Sequence, residues 1–88
     1  MAETIYKVLL ERRAERDLNN IETALRKRAV EKLLSLKNNP RPPIAKKLEG
    51  SKSAWRIRIG DWRIIYEIND SLKEVSVFRI KHRSKGYP

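Results

Sequence analysis

Arginine side chains alternate with apolar ones in the stretch AWRIRIGDWRIIYEI, residues 54–68. Arg56 and Arg58 precede the Gly60-Asp61 pair, and Arg63 follows it. Successive side chains of a β-strand point to opposite faces, so this spacing predicts a hairpin with arginines on one face and apolar residues on the other. A guanidinium group is planar, permanently charged and able to bind a phosphate or carboxylate with two hydrogen bonds. The pattern therefore predicts a surface that binds anions.

The last predicted strand, residues 72–83, continues both faces. Phe78 and Ile80 are expected on the apolar face, whereas Val77 is expected on the other face with the cations. The cations that we place there are Arg79, Lys81 and Arg83. Cations that face each other across strands repel, so a face of one sign is unfavourable unless an anion binds to it. A solvated face with a basic bias is the alternative interpretation, and we favour the bound anion.

Three other side chains are candidates for chemistry, although alternation places His82 with Phe78 and Ile80, facing away from the arginines unless the strand ends or bulges there. Imidazole suits proton transfer near neutral pH, and a carboxylate can act as a base, so His82 and Glu67 are possible general acids or bases. Tyr87, four residues after Arg83, could stack on a nucleic-acid base. The chain has one histidine and no cysteine, so neither a metal site nor a cofactor is predicted.

The overall charge indicates the kind of partner. The chain has 21 Lys and Arg against 11 Asp and Glu, a net charge of +10 over 88 residues. Such a chain favours polyanions, which include nucleic acid, an anionic membrane surface and an acidic protein. The length predicts a single domain, residues 1–88. The absence of cysteine and of a long apolar run predicts a cytoplasmic protein with no membrane segment.

The remaining sequence describes the elements that must position the arginines. Residues 4–10 predict a first strand, and apolar residues at steps of three or four predict two helices, 11–19 and 22–37. The prolines of KNNPRPP end the second helix. A short strand at 44–50 and strands at 53–59, 61–68 and 72–83 follow. The predicted fold class is α+β, in the order β-α-α-β-β-β, with an antiparallel sheet of three further strands packed on the helical hairpin.

These residues resemble the RelE/ParE superfamily of bacterial and archaeal toxins over nearly the whole chain. WRIRIGDWRIIYEI is similar to the family hairpin YRIRVGDYRVIYEI, HRSKGY is similar to its HR-x-x-x-Y ending, and KKLEG is shared. The resemblance implies the RelE-like fold, which is similar to microbial ribonucleases, with one face of the sheet as the active groove. It also implies a toxin that enters the ribosomal A site and cuts messenger RNA without a metal, because the RNA 2′-hydroxyl attacks the adjacent phosphate.

The functional residues of the family match positions of this chain one by one. Arg56, Arg58 and Arg63 would hold the phosphate and stabilise the charge of the pentacoordinate species. Arg83 would act on the leaving-group side, and Tyr87 would stack on or orient the nucleotide. The other cations expected to contact RNA are Lys46, Lys47, Arg79, Lys81 and Lys85.

Two departures from the family pattern limit this transfer. Arginine stands at 56 and 58 where the best-studied RelE pattern has lysine, and arginine does not lose its proton, so charge stabilisation is the expected role. Family members with a Glu-and-His catalytic pair carry the Glu near position 46. That position is lysine here, so their mechanism does not transfer to His82.

Two alternative functions stay open, a ParE-like inhibitor of DNA gyrase and a non-catalytic RNA-binding module. ParE-like chains generally lack the full arginine set and the terminal tyrosine, so Arg63, Arg83 and Tyr87 favour the RelE branch. A simple RNA-binding module would not depend on Tyr87. The resemblance further implies an acidic, RelB-like antitoxin that folds around the toxin and covers the groove or displaces the tail that carries Arg83 and Tyr87.

Overall fold

The computed structural model describes residues 5–83 as two helices packed on one face of a five-stranded sheet. The elements are β1 (Lys7–Leu10), α1 (Arg12–Asn19), α2 (Thr23–Ser35), β2 (Lys46–Lys47), β3 (Ala54–Ile59), β4 (Trp62–Asn69) and β5 (Glu74–His82). The predicted α+β class is confirmed. Four strands follow the helices, as the predicted ranges indicate. The order β-α-α-β-β-β counts one strand fewer, and the additional strand is the short β2, which joins the sheet beside β3. Lys85 and Tyr87 lie outside the described residues.

The strands lie in the order β1-β5-β4-β3-β2, so β4 is the central strand. Strands β2 to β5 pair antiparallel, as predicted, whereas β1 pairs parallel with β5 and makes the sheet mixed. The β1–β5 pairing ends where Leu10 meets Val77. Within residues 5–83, the part of β5 after Val77 is therefore the edge of the sheet.

The two helices bury an apolar stripe against the sheet. The stripe consists of Ala14 and Leu18 on α1 and Ala29 and Leu33 on α2, and it is extended by Ile21 between the helices and Leu36 at the end of α2. The sheet contributes Ile57, Ile59, Ile64, Tyr66, Ile68, Val75, Val77 and Ile80. Burial of a large apolar side chain is worth roughly 1.5–3 kcal/mol, so this contact holds the helices on one face and leaves the other face to the cations. Among residues 5–83, no helix is long and apolar enough to cross a membrane.

A β-bulge in β5 corrects one part of the predicted face assignment. Ile65 of β4 pairs with Arg79 of β5, but the next residue, Tyr66, pairs with Val77, so Phe78 is the extra residue. Val77 is fully buried in the core, and Phe78 is only partly buried. The predicted placement of Val77 with the cations and of Phe78 in the core was wrong, because the extra residue reverses the alternation at that point.

Hydrogen bonds fix the loop between α2 and β2. Arg41 donates two hydrogen bonds to Asp70, at 3.3 and 2.8 Å, and the Tyr6 hydroxyl donates a third at 2.5 Å. These bonds, chiefly those from Arg41, lower the pKa of Asp70 to about 2. The Tyr66 hydroxyl donates to the Pro40 carbonyl at 2.8 Å, and burial raises the pKa of Tyr66 to about 12. The loop that leads into β2 is thereby held against the sheet.

Candidate active site

Two rows of side chains, mainly cations, cross the sheet on the face opposite the helices. Arg58, Arg63 and Lys81 are successive neighbours on β3, β4 and β5 and form the first row. The second row contains Lys46, Arg56, Ile65 and Arg79. Directly opposed residues of an antiparallel pair have Cβ atoms about 4.5–5.5 Å apart. We call the surface formed by these two rows the cationic face.

Arg63 lies at the centre of the first row and is only 8% exposed. Its burial follows from its place on β4, which is covered on both sides by neighbouring strands. One terminal nitrogen of its guanidinium, Nη1, donates to the Trp62 carbonyl at 3.2 Å and to the Gly60 carbonyl at 3.5 Å. The neighbouring Arg58 is exposed. A cation that is fixed and shielded from water attracts a bound anion more strongly than a fully hydrated one.

A depression of about 120 Å³ lies in the cationic face. Its walls are Ile44, Lys46, Arg56, Arg58 and Arg63. The sequence reasoning missed Ile44, although a residue two positions before Lys46 is expected on the same face of an extended segment. The depression combines several cations with one exposed apolar side chain, an arrangement suited to a phosphate attached to a less polar group.

Arg83 lies beside the hairpin turn, next to the first row. Its backbone N–H donates to the Asp61 carbonyl at 2.8 Å, and its Nε is 3.5 Å from Asp61 Oδ1. Both side chains are more than half exposed, at 59% and 60%. Such a pair contributes little stability, so the guanidinium can exchange Asp61 for a phosphate. The sequence placed Asp61 only in the hairpin turn, because its partner Arg83 lies just past the end of β5, far along the chain.

His82 and Glu67 lie away from the first row. His82 is the cross-strand neighbour of Trp62, and the two rings meet edge to face with centroids 5.1 Å apart and planes at 82°. That contact is on the opposite side of the sheet from Arg63. Glu67 is four residues from Arg63 on the same strand, about 13 Å along it. Neither side chain is positioned to move a proton at a phosphate bound by Arg63.

The remaining predicted RNA contacts divide into two groups. Lys46, Arg79 and Lys81 belong to the cationic face, whereas Lys47 does not. Arg79 has its Nε 2.8 Å from Asp17 Oδ2, with the two side chains 30% and 15% exposed, so its guanidinium is tied to α1. Lys47 pairs with Trp55 and points to the other face by alternation.

The chemistry available on the cationic face is electrostatic. Within residues 5–83, no group of three or more His, Asp or Glu side chains is placed to hold a metal ion. The first row instead concentrates positive charge where a phosphate would gain negative charge in a displacement reaction. Donors fixed in advance around such a position are a frequent source of rate acceleration.

Comparison with known proteins agrees with this architecture. The chain matches the family described as ParE toxin of type II toxin-antitoxin system, parDE, over residues 8–87. It is 35% identical over 86 residues to Toxin RelE of Mycobacterium tuberculosis, covering 93% of this chain and 86% of that protein.

Two solved structures share the fold. In the archaeal RelE–RelB complex of Pyrococcus horikoshii, the similar chain has a TM-score of 0.81 and 28% identity, with 93% of this chain and 99% of that chain covered. In the RelBE2 toxin–antitoxin complex of Mycobacterium tuberculosis, the similar chain has a TM-score of 0.79 and 27% identity, with 90% of this chain and 99% of that chain covered. The chain therefore belongs to the RelE/ParE superfamily and is a RelE-like toxin of a type II toxin–antitoxin system.

Proposed function

We propose that this toxin is a cytoplasmic endoribonuclease that cuts messenger RNA in the ribosomal A site and so inhibits translation. The observation that carries the proposal is the first row of the cationic face, in which Arg63 is buried between Arg58 and Lys81. A phosphodiester at this row meets one fixed cation and two neighbouring cations. The similarity to RelE toxins supports messenger RNA as the source of that phosphodiester.

The proposed reaction is an internal displacement at phosphorus. The 2′-hydroxyl oxygen passes its proton to water and bonds to the phosphorus, the bond from phosphorus to the 5′-oxygen breaks, and that oxygen takes up a proton from water. The products are a 2′,3′-cyclic phosphate and a 5′-hydroxyl. Arg56, Arg58 and Arg63 stabilise the extra negative charge of the pentacoordinate phosphorus. Arg83 stabilises the departing 5′-oxygen, and Tyr87 orients the nucleotide. We assign no proton transfer to His82 or Glu67, since both lie away from the first row.

The proposed partner is an acidic, RelB-like antitoxin. Both structures compared above contain a RelE chain in complex with RelB. The net charge of +10 on this chain supplies the attraction for an acidic segment. We expect that segment to cover the cationic face or to displace the tail with Arg83 and Tyr87. A protection map of the complex in which both regions stay accessible would contradict this part of the proposal.

Primer extension on a translated message in a purified translation system tests the activity. The wild type is compared with Arg58→Ala, Arg83→Ala and Tyr87→Phe, each with and without ribosomes. Lys27→Ala is the matched control, because it removes one positive charge from an exposed position on α2. We expect codon-positioned cuts that need ribosomes, a loss of about 10²-fold in Arg58→Ala, and wild-type cutting in Lys27→Ala.

Gyrase poisoning is the second candidate, because the matched family is described by the name of ParE. No cuts in either condition would contradict the nuclease proposal. A gyrase cleavage-complex assay on the same protein preparations would then decide between a gyrase inhibitor and a non-catalytic binding module.

A further inference from the structure

A cavity of about 560 Å³ lies between α1 and the end of β5, outside the cationic-face depression. Its lining residues are Arg13, Asp17, Asn20, Trp62, Arg79, Ile80, Lys81 and His82. The size falls within the range of small-ligand sites, roughly 300–1,000 Å³. The mechanism proposed above uses neither the helix side of this cavity nor its aromatic rings.

The fold builds this cavity at the edge of the sheet. β1 ends opposite Val77, so α1 takes its place beside the rest of β5. Asp17 Oδ2 accepts the Ile80 backbone N–H at 2.9 Å and the Arg79 Nε–H at 2.8 Å, which fixes the distance between helix and strand. Arg13, one helical turn before Asp17, therefore projects along the same wall.

The lining combines aromatic surface with positive charge. Trp62 and His82 both line the cavity, and their rings meet edge to face at 82°, so a flat base can stack on only one of them. Asp17 is bound to Arg79, which leaves Arg13 and Lys81 as the excess positive charge of the lining. An aromatic platform next to cations is the usual means by which proteins bind single-stranded nucleic acid.

The cavity is continuous with the cationic face through Lys81. Lys81 is the cross-strand neighbour of Arg63 in the first row, and it also lines the cavity. An RNA strand whose phosphate lies at Arg63 can therefore pass Lys81 and place an adjoining nucleotide between α1 and β5. Asn20, at the end of α1, offers an amide donor and acceptor to the edge of that base.

We propose that this cavity binds one nucleotide of single-stranded RNA, with the base stacked on the Trp62 ring beside His82 and the phosphate at Arg13 and Lys81. The proposal rests on the proposed function, because it takes its RNA strand from the cationic face. It adds a subsite that binds the nucleotide next to the phosphodiester bond that is cut.

Fluorescence of single-tryptophan proteins tests base stacking. The chain has two tryptophans, and Trp55 lies under the Arg41 guanidinium, 5.7 Å from the ring centroid, instead of in the cavity. Trp55→Phe therefore reports on Trp62 alone, and Trp62→Phe reports on Trp55 alone. The probe is a 2′-O-methyl RNA pentamer, which cannot undergo attack by its own 2′-oxygen. We expect it to quench the emission of Trp62 and to leave that of Trp55 unchanged.

Affinity of the same pentamer, measured by anisotropy, tests the two kinds of contact. Replacing Trp62 by leucine should weaken binding about 5- to 100-fold, with most of the affinity kept in Trp62→Phe. Arg13→Gln should lower the slope of log affinity against log salt by about 1. Arg12→Gln is the matched control, since Arg12 is an exposed neighbour on α1 that does not line the cavity. Its slope should equal that of the wild type.

Failure of this proposal and failure of the proposed function give different results. Pentamer binding with an unquenched Trp62, equal slopes for the Arg13 and Arg12 variants, or no binding even at low salt would each overturn the subsite. If the cavity binds an acidic peptide instead of RNA, the pentamer will either bind without quenching Trp62 or fail to bind even at low salt. The ribosomal cleavage assay decides the nuclease proposal independently, because cuts can persist when the subsite is absent.

Discussion

Replacing Asp17 by alanine should destabilise the protein more than any change of an exposed charge. A single carboxylate oxygen of Asp17 accepts hydrogen bonds from Arg79 Nε at 2.8 Å and from the Ile80 N–H at 2.9 Å. The Asp17 side chain is 15% exposed, so water replaces these bonds poorly. The variant leaves a strand-edge amide and a partly buried guanidinium without their acceptor.

The magnitude follows from the two bonds. A hydrogen bond to a charged group contributes about 1.5–3 kcal/mol, and a partly exposed ion pair contributes about 1 kcal/mol or less. We assign about 1.5 kcal/mol to the Ile80 amide and about 1 kcal/mol to the Arg79 pair. The free energy of unfolding should therefore fall by about 2–3 kcal/mol in Asp17→Ala. For a domain of this size, the melting temperature falls by about 4–8 °C per kcal/mol.

Urea unfolding of four proteins measures both contributions. Wild type, Asp17→Ala, Arg79→Ala and the double variant form a double-mutant cycle whose coupling energy isolates the ion pair. The loss on removing Asp17 in the Arg79→Ala background isolates the Ile80 bond. Asp61→Ala is the control, because its pair with Arg83 spans 3.5 Å at an exposed site and should change stability by less than about 0.5 kcal/mol. A loss in Asp17→Ala no larger than that of Asp61→Ala would refute the reasoning.

Three further predictions concern titration and the hairpin turn. Burial raises the pKa of Tyr66 from 10.0 to about 12 on folding, so the free energy of unfolding is highest below pH 10. It should fall by about 2–3 kcal/mol as the pH rises from 10 to 12. Tyr66→Phe should remove this fall, measured by urea unfolding across that pH range. The contact with Arg41 lowers the pKa of Asp70 from 3.8 to about 2, so this contact stabilises the fold above pH 4 and is lost as the pH falls towards 2. The stability of Asp70→Asn should therefore depend less steeply on pH between 4 and 2. The same dependence in the variant and the wild type would contradict this prediction. Gly60 has φ +58 and open space where a Cβ would stand. Gly60→Ala should therefore lower the free energy of unfolding by about 1–2 kcal/mol through backbone strain alone, and Gly60→Asn should lower it by less. Thermal unfolding of both variants measures the two losses.

The sequence predicted the cationic face from local alternation. In β3 and β4 each residue's side of the sheet depends only on its neighbours along the chain, so Arg56, Arg58 and Arg63 were assigned without any knowledge of pairing. The helical stripe was equally readable, because it repeats within one segment. The residues of the resemblance, which include the hairpin and the HRSKGY ending, identified the family that the comparisons then established.

Contacts between distant segments were not readable in this way. The pairs Asp17–Arg79 and Tyr6–Asp70 join residues 62 and 64 positions apart, and no local pattern indicates which charges meet. The bulge at Phe78 depends on how β5 pairs with β4, and it changed the side of the sheet on which Val77 lies. The prediction failed there because alternation holds only while every residue has a cross-strand partner.

The sequence by itself determined which residue types line the candidate site and to which family the chain belongs. Both depend on the order of residues within short segments, such as the alternation in the hairpin and the family motifs. Only the tertiary structure decided that Arg63 is buried while Arg58 is exposed, since burial depends on the central position of β4. It also decided that α1 closes over the end of β5, where the β1–β5 pairing stops, and so created the cavity beside Trp62. Strand order and helix placement are set by long-range packing, which no stretch of sequence specifies alone.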